Sequence, residues 1–270
     1  KQTFQDFHVI VVDDASTDDT ASAVAHRYPA VDLLRLGKNG GFCAAVNAGI
    51  ERARAELVIL LNNDITLAPD FLEQLIRAAD GHPDTAMLAP LILWQDAPGT
   101  VYSAGDAQRA NGRPEPIGFG APVEGLIFKR DVFGVSAAAA LYRREVFARV
   151  GLFDERYNTY FSDSDLNFRA RLAGFKAQFV REAVCYHIGS ASLMGRTFKR
   201  TQQCYVNHLL LLIKNMPAPL YVRHPLAIAK ERLHQARRVF ASARCESGAR
   251  AALGALLSSW RQILRMFPWA

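Results

Sequence analysis

The sequence has no apolar run near the ~18 residues that a membrane-spanning helix needs, although half of its 270 residues are apolar. That length and composition fit one globular domain with an appendage. Cysteine is scarce. Cys43, Cys185, Cys204 and Cys245 show no paired metal-ligand spacing and no disulfide framework, which disfavours a zinc module and a disulfide-stapled secreted domain. A reducing cytosol is the expected setting. No secretory leader is visible and the chain opens on Lys1, so an incomplete or processed N-terminus is expected. Gly-x-Gly-x-x-Gly is missing too. Gly40-Gly41 offers only a turn, which disfavours a dinucleotide fold.

The net charge of +6 is uneven, with nine Lys/Arg and two Asp/Glu in residues 218–270. A +7 tail therefore follows a remainder of −1. No nucleic-acid-binding motif accompanies the charge, so nucleic acid is not an expected partner. Two amphipathic helical stretches are expected in the tail, roughly 225–243 and 247–267. The second carries Leu253, Leu256, Leu257, Trp260, Ile263, Leu264 and Phe267 beside Arg261 and Arg265. A basic amphipathic helix suits an anionic phospholipid surface, and packing on the domain or a partner is an equal alternative.

Residues 1–217 read as strand, helix, strand, helix, strand, the doubly wound α/β pattern. Strands are expected at His8–Val12, Val31–Leu36 and Leu57–Leu61, and helices after Ser16 or Thr17, over Phe42–Arg54, and from Pro69 with Phe71, Leu72, Leu75 and Ile76 on one face. Leu57–Leu61 stops at Asn62-Asn63-Asp64. Ligands in such sheets sit beyond the carboxyl ends of strands, so Asp64 is placed to hold a hard cation with a phosphate. Turn and capping roles explain the same residues equally well.

Residues 94–130 are rich in Gly and Pro and read as an excursion over the site, with Val132–Leu141 returning as a small-residue strand. Asp163 and Asp165 open a helix, where acidic residues are favoured by the dipole. Asp163 also suits a general base, since a carboxylate in a closed cleft can have its pKa raised. Val184–His187 ends a strand in a histidine. Ser192–Arg200, with Arg196, Lys199 and Arg200, is either a phosphate-covering loop or a solvated helix start.

With those residues in view, the chain resembles a family 2 glycosyltransferase of the GT-A fold, in the rhamnosyltransferase-like branch that builds bacterial surface polysaccharides. The segments that carry the resemblance are Gln2–Phe4, Val11–Thr20, Asn39–Phe42 with Asn47, Leu61–Asp64, Gly151–Glu155, Asp163–Leu166 and His187. The fold implied is a mostly parallel sheet with helices on both faces, followed by C-terminal amphipathic helices. The activity implied is inverting transfer from a nucleoside-diphosphate sugar (dTDP-, UDP- or GDP-linked) to a saccharide or lipid-linked acceptor at the cytoplasmic membrane face. Mg2+ or Mn2+ is implied as cofactor.

By that resemblance Asp14 meets the nucleotide base, and Asn39, Asn62 and Asn63 line the nucleotide-sugar site. Asp64 holds the metal, His187 completes that site or touches the diphosphate, Asp163 is the base, and Asp154 and Asp165 shape the acceptor side. Two departures stand out. Ser162 replaces the family's usual glutamate, and the opening strand of the family does not precede Lys1. They make a non-catalytic nucleotide-binding or assembly module the alternative reading. A nucleotidyltransferase is more distant, for want of a Gly-rich phosphate loop.

Overall fold

The computed structural model describes residues 1–189 and 197–266. The chain divides into two compact units, residues 1–106 with 116–188, and residues 107–115 with 189–270.

In the first unit, β1 (Ile10–Asp13) and β2 (Asp32–Arg35) form a parallel two-stranded sheet, with α1 (Thr20–Arg27) between them in sequence. Helix α2 (Phe42–Arg52) follows. The larger sheet has the order β3-β10-β5-β11-β4, built from β3 (Leu57–Leu61), β4 (Ile65–Leu67), β5 (Thr85–Trp94), β10 (Ala139–Arg143) and β11 (Lys176–His187). Because β10 is antiparallel to both β3 and β5, and β11 is parallel to β5, the strands β3, β5 and β11 all run the same way. Short strands β6 (Val101–Ser103) and β9 (Asp131–Val132) pair with β5 and β11. Strands β7 (Asp106–Gln108) and β8 (Pro114–Pro116), of which residues 107, 108, 114 and 115 belong to the second unit, pair with each other.

Helix α3 (Phe71–Gly81) shows how the sequence holds this unit. Its face of Phe71, Leu72, Leu75 and Ala79 packs into one core with Leu88, Ile92, Leu141 and Cys185 of the sheet. Full burial of a side chain the size of Phe71 or Leu75 contributes about 1.5–3 kcal/mol. Helices α4 (Arg144–Val150) and α5 (Ser162–Leu172) complete the unit, with a 3-10 turn at Glu155–Tyr157 between them.

Four local expectations change. Helix α1 begins at Thr20 rather than after Ser16, because Asp13 Oδ1 accepts from Ser16 N (3.1 Å), Ala15 turns left-handed (φ 58°) and Asp18 Oδ1 accepts from Thr20 N. The single strand expected over Val132–Leu141 is broken. Gly134 lies against Asn167, where a Cβ would meet Cγ at 2.2 Å, and the Asn167 amide takes both backbone groups of Val135. A side chain thus replaces the sheet ladder there. Conversely, Lys176–Val180 and Val184–His187 are one strand, β11, with a register shift between them. The two tail stretches are likewise one helix.

That helix is α8 (Pro225–Met266), in the second unit with α6 (Thr197–Asn215) and α7 (Ala218–Arg223). Helix α6, which the sequence reading joined to residues 1–217, belongs to this unit. It packs on α8 through Tyr205, Val206, Val239, Ala243 and Ile263. A polar staple adds to this: Arg232 Nη1 donates to Tyr205 O at 2.6 Å, and His208 Nε2 lies 3.2 Å from Asn111 O. Lys199 and Arg200 lie in the first turns of α6, while Arg196 and Phe267 and the side chains of Leu253 and Leu256 lie outside the described residues. Leu257, Trp260 and Leu264 are exposed at helical spacing beside Arg261 and Arg265, and Ile263 turns inward. None of the described helices is long and apolar enough to cross a membrane.

Candidate active site

Strands β3 and β4 lie at opposite ends of the sheet order, so Asn62, Asn63 and Asp64 bridge them. The β3–β10 ladder runs one step further, with Asn62 N donating to Ala138 O at 2.9 Å. On the other side β4 is antiparallel to β11, pairing Ile65 with His187. That register puts Asp64 beside the histidine: Asp64 Oδ1 is 3.0 Å from His187 Nε2, and Ile188 N donates to Asp64 O at 3.2 Å. Asn63 is exposed and Asn62 half-buried. The His187 ring is buried, with Tyr102 edge-on at 4.4 Å, and among the described residues its Nδ1 has no partner.

Asp14 and Asn39 also meet. Asp14 Oδ1 and Oδ2 accept from Gly40 N (2.7 Å) and Gly41 N (2.8 Å), and Asn39 Nδ2 donates to Asp14 O. The two Asp14 oxygens therefore fix the glycine loop, and a base would have to use their remaining lone pairs. Gly41 (φ 82°) must be glycine twice over, since a Cβ would fall 1.9 Å from Asn158 Oδ1. This contact joins the Asn39 loop to the segment before α5, where Asn158, Tyr160 and Phe161 all hold positive φ. Each such residue costs roughly 1–3 kcal/mol, and such strain clusters at functional sites.

Asp163 follows that strained turn. Its carboxylate accepts from Ser164 N (2.8 Å), Ser164 Oγ (3.4 Å) and Ala137 N (3.3 Å). Burial nevertheless raises its pKa above the usual carboxylate value, with the hydrogen bonds opposing. Adjacent residues of one backbone strip thus serve both halves of the site: Ala137 donates to Asp163, and Ala138 accepts from Asn62 two residues before Asp64.

The other two acidic candidates are spoken for. Asp154 accepts from Arg156 through both carboxylate oxygens and caps the 3-10 turn. Asp165 has no side-chain exposure and pairs with Arg169 at 2.8 Å, whose guanidinium also binds the carbonyls of Val150, Gly151 and Leu152. Its carboxyl is turned inward. Asn47 clamps Phe153 through N and O. Asp13, beside Asp14, is held below the usual carboxylate range, chiefly by the Ser16 hydroxyl.

Sequence reasoning missed Asp106, a buried carboxyl whose pKa is pushed up by burial and by Asp163. It also missed the rings around His187, where Tyr102 contacts Trp94 and Phe119. Asp106 carried no sequence signal, lying in a Gly- and Pro-rich stretch.

Residues 1–151 match the family described as Glycosyl transferase family 2. The chain belongs to that family. It is 32% identical over 208 residues to the N-acetylglucosaminyl-diphospho-decaprenol L-rhamnosyltransferase of Mycobacterium tuberculosis, covering 66% of each chain. An O-antigen biosynthesis protein of Myxococcus xanthus is 29% identical over 69% of this chain, which spans 15% of that protein. Among solved structures, a mannosyltransferase from Pyrobaculum calidifontis, in complex with GDP-Man and Mn2+, superposes with a TM-score of 0.55 at 20% identity. The match covers 97% of this chain and 72% of that one. The fold is of the GT-A type.

Proposed function

We propose that this chain carries the catalytic domain of an inverting, metal-dependent glycosyltransferase that takes a sugar from a nucleoside diphosphate to a saccharide or lipid-linked acceptor in cell-surface polysaccharide synthesis. The observation that carries the reading is the shared strip at Ala137–Ala138, which ties a carboxylate–imidazole pair to a separately held carboxylate. Inverting transfer needs a base and a leaving diphosphate held apart in this way. Asp163 takes the proton from the acceptor hydroxyl. The hydroxyl oxygen then bonds to the anomeric carbon, and the diphosphate leaves with the electron pair of its C–O bond. The Asn39–Gly41 loop with Asp14 forms the nucleotide side, Asn62 and Asn63 line the sugar-nucleotide site, and Asp154 borders the acceptor side.

The donor set at Asp64 and His187 fits Mn2+ or Mg2+. One carboxylate and one imidazole leave most coordination positions to phosphate and water, as such ions are held in nucleotide sites. No larger His/Cys/Asp/Glu cluster exists among the described residues. When bound, the ion neutralises charge on the leaving diphosphate. For location we infer the cytoplasmic membrane face, supported by the exposed Leu257, Trp260 and Leu264 beside Arg261 and Arg265 on α8.

The test is turnover of dTDP-, UDP- and GDP-sugars with Mn2+ or Mg2+ and a polyprenyl-diphosphate saccharide acceptor. Metal-dependent product formation that disappears with Asp163→Asn is expected. Nucleotide binding without turnover by the full-length protein would instead establish the non-catalytic module.

A further inference from the structure

Asp106 is a buried titratable group beside the base, and the reaction just described gives it no task. It is 7% exposed and begins β7. Its backbone is bridged to Gly134, with Asp106 N donating to Gly134 O (2.9 Å) and Asp106 O accepting from Phe133 N and Gly134 N (3.0 and 3.2 Å). Asn167, one turn beyond Asp163, grips Val135 N and O at 3.2 and 2.9 Å. Two residues on, Ala137 donates to Asp163 itself. The strip 134–137 therefore fixes Asp106 at one end and Asp163 at the other, close enough that the charge of Asp163 acts on Asp106.

The two carboxyls are equipped unequally. Asp163 receives three donors, from Ser164 and Ala137. Among the described residues no donor reaches the carboxyl of Asp106. Tyr142 of β10 is fully buried, its hydroxyl has no partner among the described residues, and both carboxylates act on it. The thiol of Cys43 on α2 also senses Asp163, and burial pushes it up to about 12, so it stays neutral. No cation compensates a second negative charge among these groups, and a second negative charge beside a first is disfavoured where one of the carboxyls, Asp106, is buried.

We propose that Asp106 is a positioning residue for Asp163: the pair holds one proton at neutral pH, Asp106 carries it, and Asp163, supported by three donors, is left as the ionised base. The assignment of Asp163 as base rests on the function proposed above, whereas the shared proton does not. The pair titrates in two macroscopic steps. The first creates the active monoanion. The second buries another charge and closes the active range from the alkaline side.

The experiment is a pH-difference infrared titration of the whole chain, wild type against Asp106→Asn and Asp163→Asn, with kcat/KM profiles alongside. The wild type is expected to show a protonated-carboxyl band at neutral pH that Asp106→Asn lacks. In Asp163→Asn the band remains, and the pH at which it disappears falls by on the order of one unit or more. The alkaline limb of kcat/KM is expected to vanish in Asp106→Asn, whatever the height of its profile. A wild type without the band, a band unchanged in Asp106→Asn, or an alkaline limb unchanged in that variant would overturn the proposal. If Asp106→Asn does not fold, the Asp163→Asn shift decides alone, and an unmoved titration overturns it. The bands with no turnover refute the glycosyl-transfer reading and leave the proton pair; turnover without the bands does the reverse.

Discussion

Asp64 and Asp163 are both aspartates at element ends in one unit, yet their surroundings differ in the way their proposed tasks require. Asp64 is half-buried, one oxygen is 3.0 Å from an imidazole nitrogen, and it precedes a short edge strand. That geometry places its carboxylate where a cation could be shared with the imidazole. Asp163 meets backbone N–H groups and a hydroxyl, follows a strained turn, and is pushed toward its protonated form by burial. Residue type says little by itself. What separates the proposed ligand from the proposed base is the partner, an imidazole at one and backbone and hydroxyl donors at the other.

The largest effect that would sharpen this contrast is on turnover. Asp163→Asn should lower kcat by about 10²–10⁴-fold, the usual contribution of a general base, with nucleotide binding retained. Steady-state kinetics beside a binding titration checks both. Asp64→Ala should abolish the metal dependence of diphosphate binding, read by calorimetry with and without Mn2+. His187→Ala removes one of the two proposed ligands and should weaken Mn2+ by at least the roughly 10–100-fold that loss of an outer-shell partner alone costs. Equal damage to turnover and metal binding in all three variants would erase the distinction.

The pH dependence carries the same contrast with a definite sign. A base must be ionised, so kcat/KM should rise with pH through an acidic limb lying above the ordinary carboxylate range, as the raised Asp163 requires. For stability the sign reverses. Raised folded pKa values at Asp163 and Asp106 give stability that is full below the unfolded value near 3.8 and is lost as pH rises through the folded values. Thermal midpoints should therefore show Asp106→Asn gaining on the wild type as pH rises from 4 to 8, on the order of a few degrees. Asp165→Asn serves as the control. It breaks a buried ion pair worth about 3–5 kcal/mol on removal of one partner, so melting should suffer first and the acidic limb should stay in place.

Much of this was readable because local signals agreed with the fold. Leu57–Leu61, the face of α3, and the start of α2 at Phe42 follow from apolar spacing. Asp64 and His187 were found as strand ends, although only the β4–β11 register makes them neighbours. Other features are tertiary. The break in Val132–Leu141 depends on Asn167, more than thirty residues away, taking over the backbone of Val135. Asp165 carries the same motif signal as Asp163, and only the bond to Arg169 shows it turned inward. Asp106 lies in a Gly- and Pro-rich stretch without periodicity, so no pattern marked it.

The most direct test is a calorimetric titration of GDP, UDP and dTDP into wild type, Asp64→Ala and Asp163→Asn, each with and without Mn2+. One diphosphate should bind wild type and Asp163→Asn alike, with Mn2+ required, and that metal-dependent heat should be absent only from Asp64→Ala. Metal-dependent binding that survives Asp64→Ala, or is lost in Asp163→Asn, would contradict the division of the site into a cation-holding side and a base side.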